Sequence, residues 1–119
     1  MPRKLGRSFH FAFRGMRYAV FSQRNFRIHV LAALLVVVSA WWLAVSLEEW
    51  VALVLVMGIV FVTETLNTAI EEVVNLFSPS HHELAEKAKD TAAAAVLMAS
   101  ICAIIAGVLI LGPRILRVF

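Results

Sequence analysis

The chain has 119 residues, of which 61% are hydrophobic and 16% charged, with a net charge of +3 and a mean hydropathy of +0.85; this excludes an ordinary soluble globular domain. The single cysteine, Cys102, lies in an apolar run, so a disulfide framework is excluded too, and the residue reads as a small packing side chain. The composition predicts one all-α membrane domain over residues 1–119, with no nucleic-acid partner expected for its basic residues.

Residues 4–24 come first. Leu5, Phe9, Ala12, Met16 and Val20 recur at helical spacing, and Lys4, Arg7, Arg14 and Arg17 fall on the opposite face. This predicts an amphipathic helix lying on anionic lipid, loosened at Gly15; the alternative is a solvated basic tail. A secretory signal does not fit, because the charged region is too long and no small-residue cleavage pattern follows the apolar run. The stretch is expected to belong to the mature protein.

Three apolar runs follow, Ile28 to Leu47, Trp50 to about Val73, and Thr91 to Leu111. Each is close to the ~20 residues that cross roughly 30 Å of hydrocarbon, which predicts membrane helices over 28–47, 50–76 and 86–111. Of the 11 basic residues, Arg3, Lys4, Arg7, Arg14, Arg17, Arg24, Arg27, Lys87 and Lys89 lie before the first run or between the second and third. The turn "SLEEW" has none. The bias toward basic cytoplasmic loops therefore predicts a cytoplasmic N-terminus, with Arg114 and Arg117 as exceptions and Trp41, Trp42 and Trp50 gathered at the outer interface. His29, at the start of the first run, reads as an interfacial polar anchor.

The second run is interrupted. "VTETLNTAIEEVVNLF" (residues 62–77) places Glu64, Asn67, Glu71 and Asn75 within an arc of about 80° on a helix. Counting from Trp50 at about 1.5 Å per residue, Glu64 is about 21 Å and Glu71 about 31 Å along the axis, at the far edge of the hydrocarbon. Glu72 points away from this stripe and reads as an exposed charge. Ionisable groups at such depth mark functional sites, although polar helix-to-helix contacts and an ion pathway are competing readings.

The turn "SPSHH" ends that helix. Glu83, Glu86, Lys87, Lys89 and Asp90 then lead into "TAAAAVLMAS", whose four alanines let helices approach closely. His81 and His82 diverge on a helix and so make no metal pair, leaving a nucleotide contact or a plain loop histidine. Two polar clusters thus meet at one lipid interface. Carboxylates there suit Mg2+, a lysine suits phosphate, and a poorly hydrated carboxylate suits general-base work on a membrane alcohol.

"ETLNTAIEEVVN", "HHELAEKAKD" followed by "AAAAVL", and "NFRIH" closely resemble the small bacterial diacylglycerol kinase and undecaprenol kinase family, from about Ser8 to Leu111. No Walker glycine loop or protein-kinase signature competes. The resemblance implies a homotrimeric, multi-pass enzyme of the bacterial inner membrane, with active sites shared between subunits, that uses ATP and Mg2+ to phosphorylate a lipid. It implies Glu64 as catalytic base, Glu71 as a magnesium ligand, and Asn67, Lys89, Asp90 and His82 at the nucleotide. Two positions depart from the family pattern: Gln23 stands where Glu, a further metal ligand, is expected, and Asn75 where Asp is expected. "NFRIH" and "NTAIE" look more like the undecaprenol branch, with diacylglycerol as the second substrate. A non-catalytic membrane homologue acting as an interaction module is the alternative.

Overall fold

The computed structural model describes the backbone of residues 2–119 and side chains from Lys4 onward, so the Arg3 charge counted above lies outside the described side chains. Four helices follow one another: α1 (Pro2–Ser22), α2 (Arg24–Trp42), α3 (Leu47–Phe77) and α4 (Glu83–Val118). The last three are long and apolar enough to cross a membrane, which makes this a multi-pass membrane protein. Large apolar side chains cover the outside of the bundle, including Leu31, Leu34, Leu55, Ile104 and Leu109.

The junction between α1 and α2 is a single extended residue, Gln23, with φ −114° and ψ 114°. The end of α1 leaves backbone carbonyls without intrahelical partners. Arg27 supplies them, its Nη1 donating to the Val20 and Phe21 carbonyls at 3.1 and 2.9 Å. A long cation one turn into α2 thus folds back to seal α1 and fixes the direction in which Gln23 projects. α1 is amphipathic, with Leu5, Phe9 and Met16 facing outward and Ala19 buried where the helix meets the bundle.

Helix α2 stops at Trp42, short of the expected 47. Val45 donates to the Ala40 carbonyl at 3.2 Å, and Ala44 takes φ 50°, the left-handed conformation common just past a helix end. Ser46 then starts α3 earlier than expected. Its hydroxyl accepts from the Glu49 amide at 3.2 Å, and the Glu49 carboxylate accepts from the Ser46 amide at 3.0 Å. This reciprocal cap satisfies two otherwise unpaired donors.

Arg114 explains its own departure from the charge bias. From α4 it donates to both Glu49 carboxylate oxygens and, through Nη1, to the Leu43 and Ala44 carbonyls at 3.3 Å each. The acidic turn without a cation of its own borrows one from the far end of the chain. Next to this clamp lies the core of Ala40, Val45, Leu53 and Leu111, with Trp50 half-buried against it and Trp41 and Trp42 exposed.

Helices α3 and α4 form the main antiparallel pair, approaching closely at the buried Ala92 and Ala99. α4 runs past the expected 86–111 at both ends and carries Pro113 within it. Cys102, read as a small packing side chain, is exposed on this helix in the single chain. At 31 residues, α3 is about 46 Å long by helical rise, so it outruns a hydrocarbon layer and carries its second half toward an interface.

Candidate functional site

The polar stripe of α3 begins at Glu64, about 26 Å from the helix start by rise. Glu64 is 2% exposed, and Asn67 and Thr68 are buried beside it. Thr68 is satisfied locally, its hydroxyl donating to the Glu64 carbonyl at 3.0 Å. Glu64 Oε1 and Asn67 Oδ1 are not: both are buried without a hydrogen-bond partner. A buried acceptor without a donor is costly, about 1–3 kcal/mol, so two on one face mark a place prepared for something else.

Across from Glu64 stands His29, and the side chain read from the sequence as an interfacial polar anchor faces this carboxylate. Its Nε2 lies 3.1 Å from Glu64 Oε1. The two atoms are within hydrogen-bond distance, yet Oε1 has no hydrogen bond in this arrangement. Nearby on the same two helices Phe26 packs against Phe61, with ring centroids 5.4 Å apart and planes at 47°.

One turn beyond Asn67, Glu71 is half-buried. Asn67 Nδ2 donates to its Oε1 at 3.3 Å, and Gln23 Nε2, projected from the α1–α2 junction, donates to its Oε2 at 3.4 Å. Two neutral amides therefore surround one carboxylate. Glu72, on the other side of α3, accepts from the Tyr18 hydroxyl at 2.8 Å and so ties α1 to α3, rather than standing as a free surface charge. That hydrogen bond raises the exposed Tyr18 phenol above its usual range.

The second cluster lies in an open cleft of about 330 Å³ where α3 turns into α4, lined by Asn75, Ser78, His82, Glu86, Lys89 and Asp90. Lys89 Nζ donates to Asn75 Oδ1, joining the end of the stripe to α4. His82 caps α4, its Nδ1 accepting from the Leu84 amide at 3.1 Å, which leaves Nε2 as its ring atom available to a ligand. His81 pairs instead with Glu86 at 3.5 Å on the surface. The structure brings Glu64, Asn67, Glu71 and Gln23 into one group and Asn75, Lys89, Asp90 and His82 into another, joined along α3. Sequence reasoning missed His29 as a member of the first group. Nothing in its spacing along α2 points to Glu64.

The arrangement combines a buried carboxylate in a membrane helix with a polar cleft beyond it that holds Lys89, and comparison with known proteins gives the family to which this belongs. A family model described as prokaryotic diacylglycerol kinase matches residues 10–111. The chain belongs to the prokaryotic diacylglycerol kinase family. It is 44% identical over 110 residues to a diacylglycerol kinase of Synechocystis sp., covering 92% of this chain and 63% of that protein. It is 39% identical over 109 residues to an undecaprenol kinase of Bacillus subtilis, covering 92% and 89%. A diacylglycerol kinase of Escherichia coli is 41% identical over 95 residues, covering 80% and 78%. The chain spans less than two thirds of the Synechocystis relative's length. Within the diacylglycerol kinase family frame, both polar clusters fall inside the matched region.

Proposed function

We propose that the protein is a lipid kinase that transfers the γ-phosphoryl group of ATP to the hydroxyl of a membrane alcohol at the cytoplasmic face of the bacterial inner membrane. The observation that carries this reading is Glu64: a buried carboxylate with an unpartnered oxygen, in a helix suited to span a membrane. Its role is that of general base. The acceptor oxygen bonds to the γ-phosphorus as the bond from that phosphorus to the bridging oxygen breaks. ADP leaves with that electron pair, and the hydroxyl proton passes to Glu64.

The cleft beyond Asn75 takes the nucleotide, with Lys89 on its phosphates and Asp90 and His82 beside it. Asn67 holds Glu71 through Nδ2, and its Oδ1 is buried without a partner. Among the described residues no group of three carboxylate, histidine or cysteine ligands is present, so an all-protein metal cage does not fit. A hydrated Mg2+ does fit, since that ion keeps several waters and takes one or two carboxylates together with phosphate oxygens. Glu71, with amide oxygens from Gln23 and Asn67, would hold it. Neutralising the charge on the ATP phosphates is the chemistry it supplies when bound.

Undecaprenol is the first acceptor, because the relative named for it is covered over 89% of its length. Diacylglycerol is the second, on the 44% identity to a relative named for that substrate. The N-terminus lies in the cytoplasm with α1 along the lipid surface, and three chains assemble so that each site is shared between neighbours. A half-buried Glu71 left against lipid would be costly, and a neighbouring subunit removes that cost. The test is purified protein in mild detergent with labelled ATP, Mg2+ and each lipid in turn, with the mass of the same preparation measured. Label in undecaprenyl phosphate from a trimer is expected. Label in neither lipid, or full activity from a monomer, contradicts the reading.

Gln23 gives a prediction of its own. Its amide N–H now satisfies Glu71 Oε2. Gln23→Glu places two carboxylates side by side, and their repulsion in a low-dielectric interface is relieved by a cation between them. The variant is expected to reach half-maximal activity at a lower Mg2+ concentration and to be faster at limiting Mg2+. Asn75→Asp should add less, as Asn75 lies about 6 Å further along the axis from Glu71. A magnesium titration at fixed ATP decides this: an unmoved Gln23→Glu curve removes Gln23 from the metal's surroundings.

A further inference from the structure

His29 is a polar group of α2 to which the lipid-kinase reading gives no task. Its side chain is 25% exposed and faces a Glu64 side chain only 3% exposed, with 3.1 Å between Nε2 and Oε1. Among the described residues it is the side chain paired with Glu64. His29 also lines an apolar groove of about 420 Å³ between α2, α3 and α4, whose walls include Ala32, Val36, Met57, Val60 and Ile104. It therefore stands where an apolar channel meets the buried carboxylate. The Phe26 to Phe61 contact ties the same stretches of α2 and α3 together.

We propose that His29 is a positioning residue for the transfer: its Nε2–H closes onto Glu64 Oε1 and holds the carboxylate with its other oxygen toward the acceptor hydroxyl. The proposal rests on the lipid-kinase reading of Glu64. A carboxylate buried this deeply has lost the water that would orient it, so a fixed donor is needed to define one geometry. In this role the ring donates through Nε2 and takes no proton from the acceptor. The acceptor's proton goes to Glu64 and the electron pair leaves with ADP, as above. A small rotation of the ring, for which a side chain 25% exposed has room, would close the hydrogen bond onto Oε1.

The test compares the parent with His29→Phe, which keeps a ring without a donor, and His29→Gln, which keeps an N–H at similar reach. Misplacing a reacting group by an ångström lowers rates by about 100-fold, and a loss of that order in kcat is expected for His29→Phe, with KM for ATP at the parental value. His29→Gln is expected to recover most of the rate. Circular dichroism and mass of both variants should match the parent. A readout independent of turnover is the imidazole ¹⁵N spectrum of His29, whose Nε2 resonance should move on Glu64→Gln substitution. Parental kcat in His29→Phe, equal losses in both His29 variants, or an unmoved Nε2 resonance overturns the proposal while leaving the lipid-kinase reading in place. A parent that phosphorylates no lipid removes that reading, and this role with it.

Discussion

Glu64→Gln is expected to lower lipid phosphorylation by about 10²- to 10⁴-fold, the range over which a positioned general base contributes. The substitution keeps shape and volume and removes the capacity to accept a proton. Because Glu64 is 2% exposed and Oε1 has no hydrogen-bond partner, the neutral amide should leave the fold intact, and it removes a charge from an apolar setting. Thermal stability is therefore expected to be equal to or above that of the parent, while activity collapses. The two measurements together separate chemistry from folding. A variant that phosphorylates lipid at near parental rates takes the base role away from Glu64; one that loses activity only by unfolding makes Glu64 a structural residue.

Lys89→Gln is expected to raise the ATP concentration for half-maximal rate by about tenfold, since hydrogen bonds to a charged group contribute about 1.5–3 kcal/mol and solvent screening at this open cleft favours the lower end. In the folded chain Lys89 donates to the Asn75 carbonyl oxygen, and a glutamine amide can replace that contact. What glutamine cannot replace is the positive charge offered to a phosphate. A helix-packing role needs only the hydrogen bond and would leave the dependence on ATP unmoved. An enzymatic role loses ATP affinity with little change in melting temperature. The variant thus discriminates the lipid kinase from a membrane homologue that serves as an interaction module.

Much of this architecture follows from one-dimensional features. Apolar run length alone selects three helices able to cross a membrane, because the thickness of the hydrocarbon fixes how many residues a helix needs. The turn between α3 and α4 is written in "SPSHH", and the stripe of Glu64, Asn67, Glu71 and Asn75 in the period of the helix. Element ends were less legible. α2 stops at Trp42 because Ala44 adopts a left-handed conformation and Arg114 takes up the carbonyls of Leu43 and Ala44, a contact across 70 residues or more that no local pattern encodes.

The site divides along the same line. Residues that one helix brings together, such as Asn67 and Glu71, could be grouped from spacing alone. Those supplied by other elements could not: Gln23 reaches Glu71 from a bend sealed by Arg27, and Tyr18 reaches Glu72 from α1. His29 is the clearest case, for its spacing along α2 says nothing of which α3 residue it meets. Helical periodicity determines which side chains share a face of one helix; the rotation and height of one helix against another come from contacts such as Phe26 on Phe61, and these decided which residue stands beside the buried carboxylate.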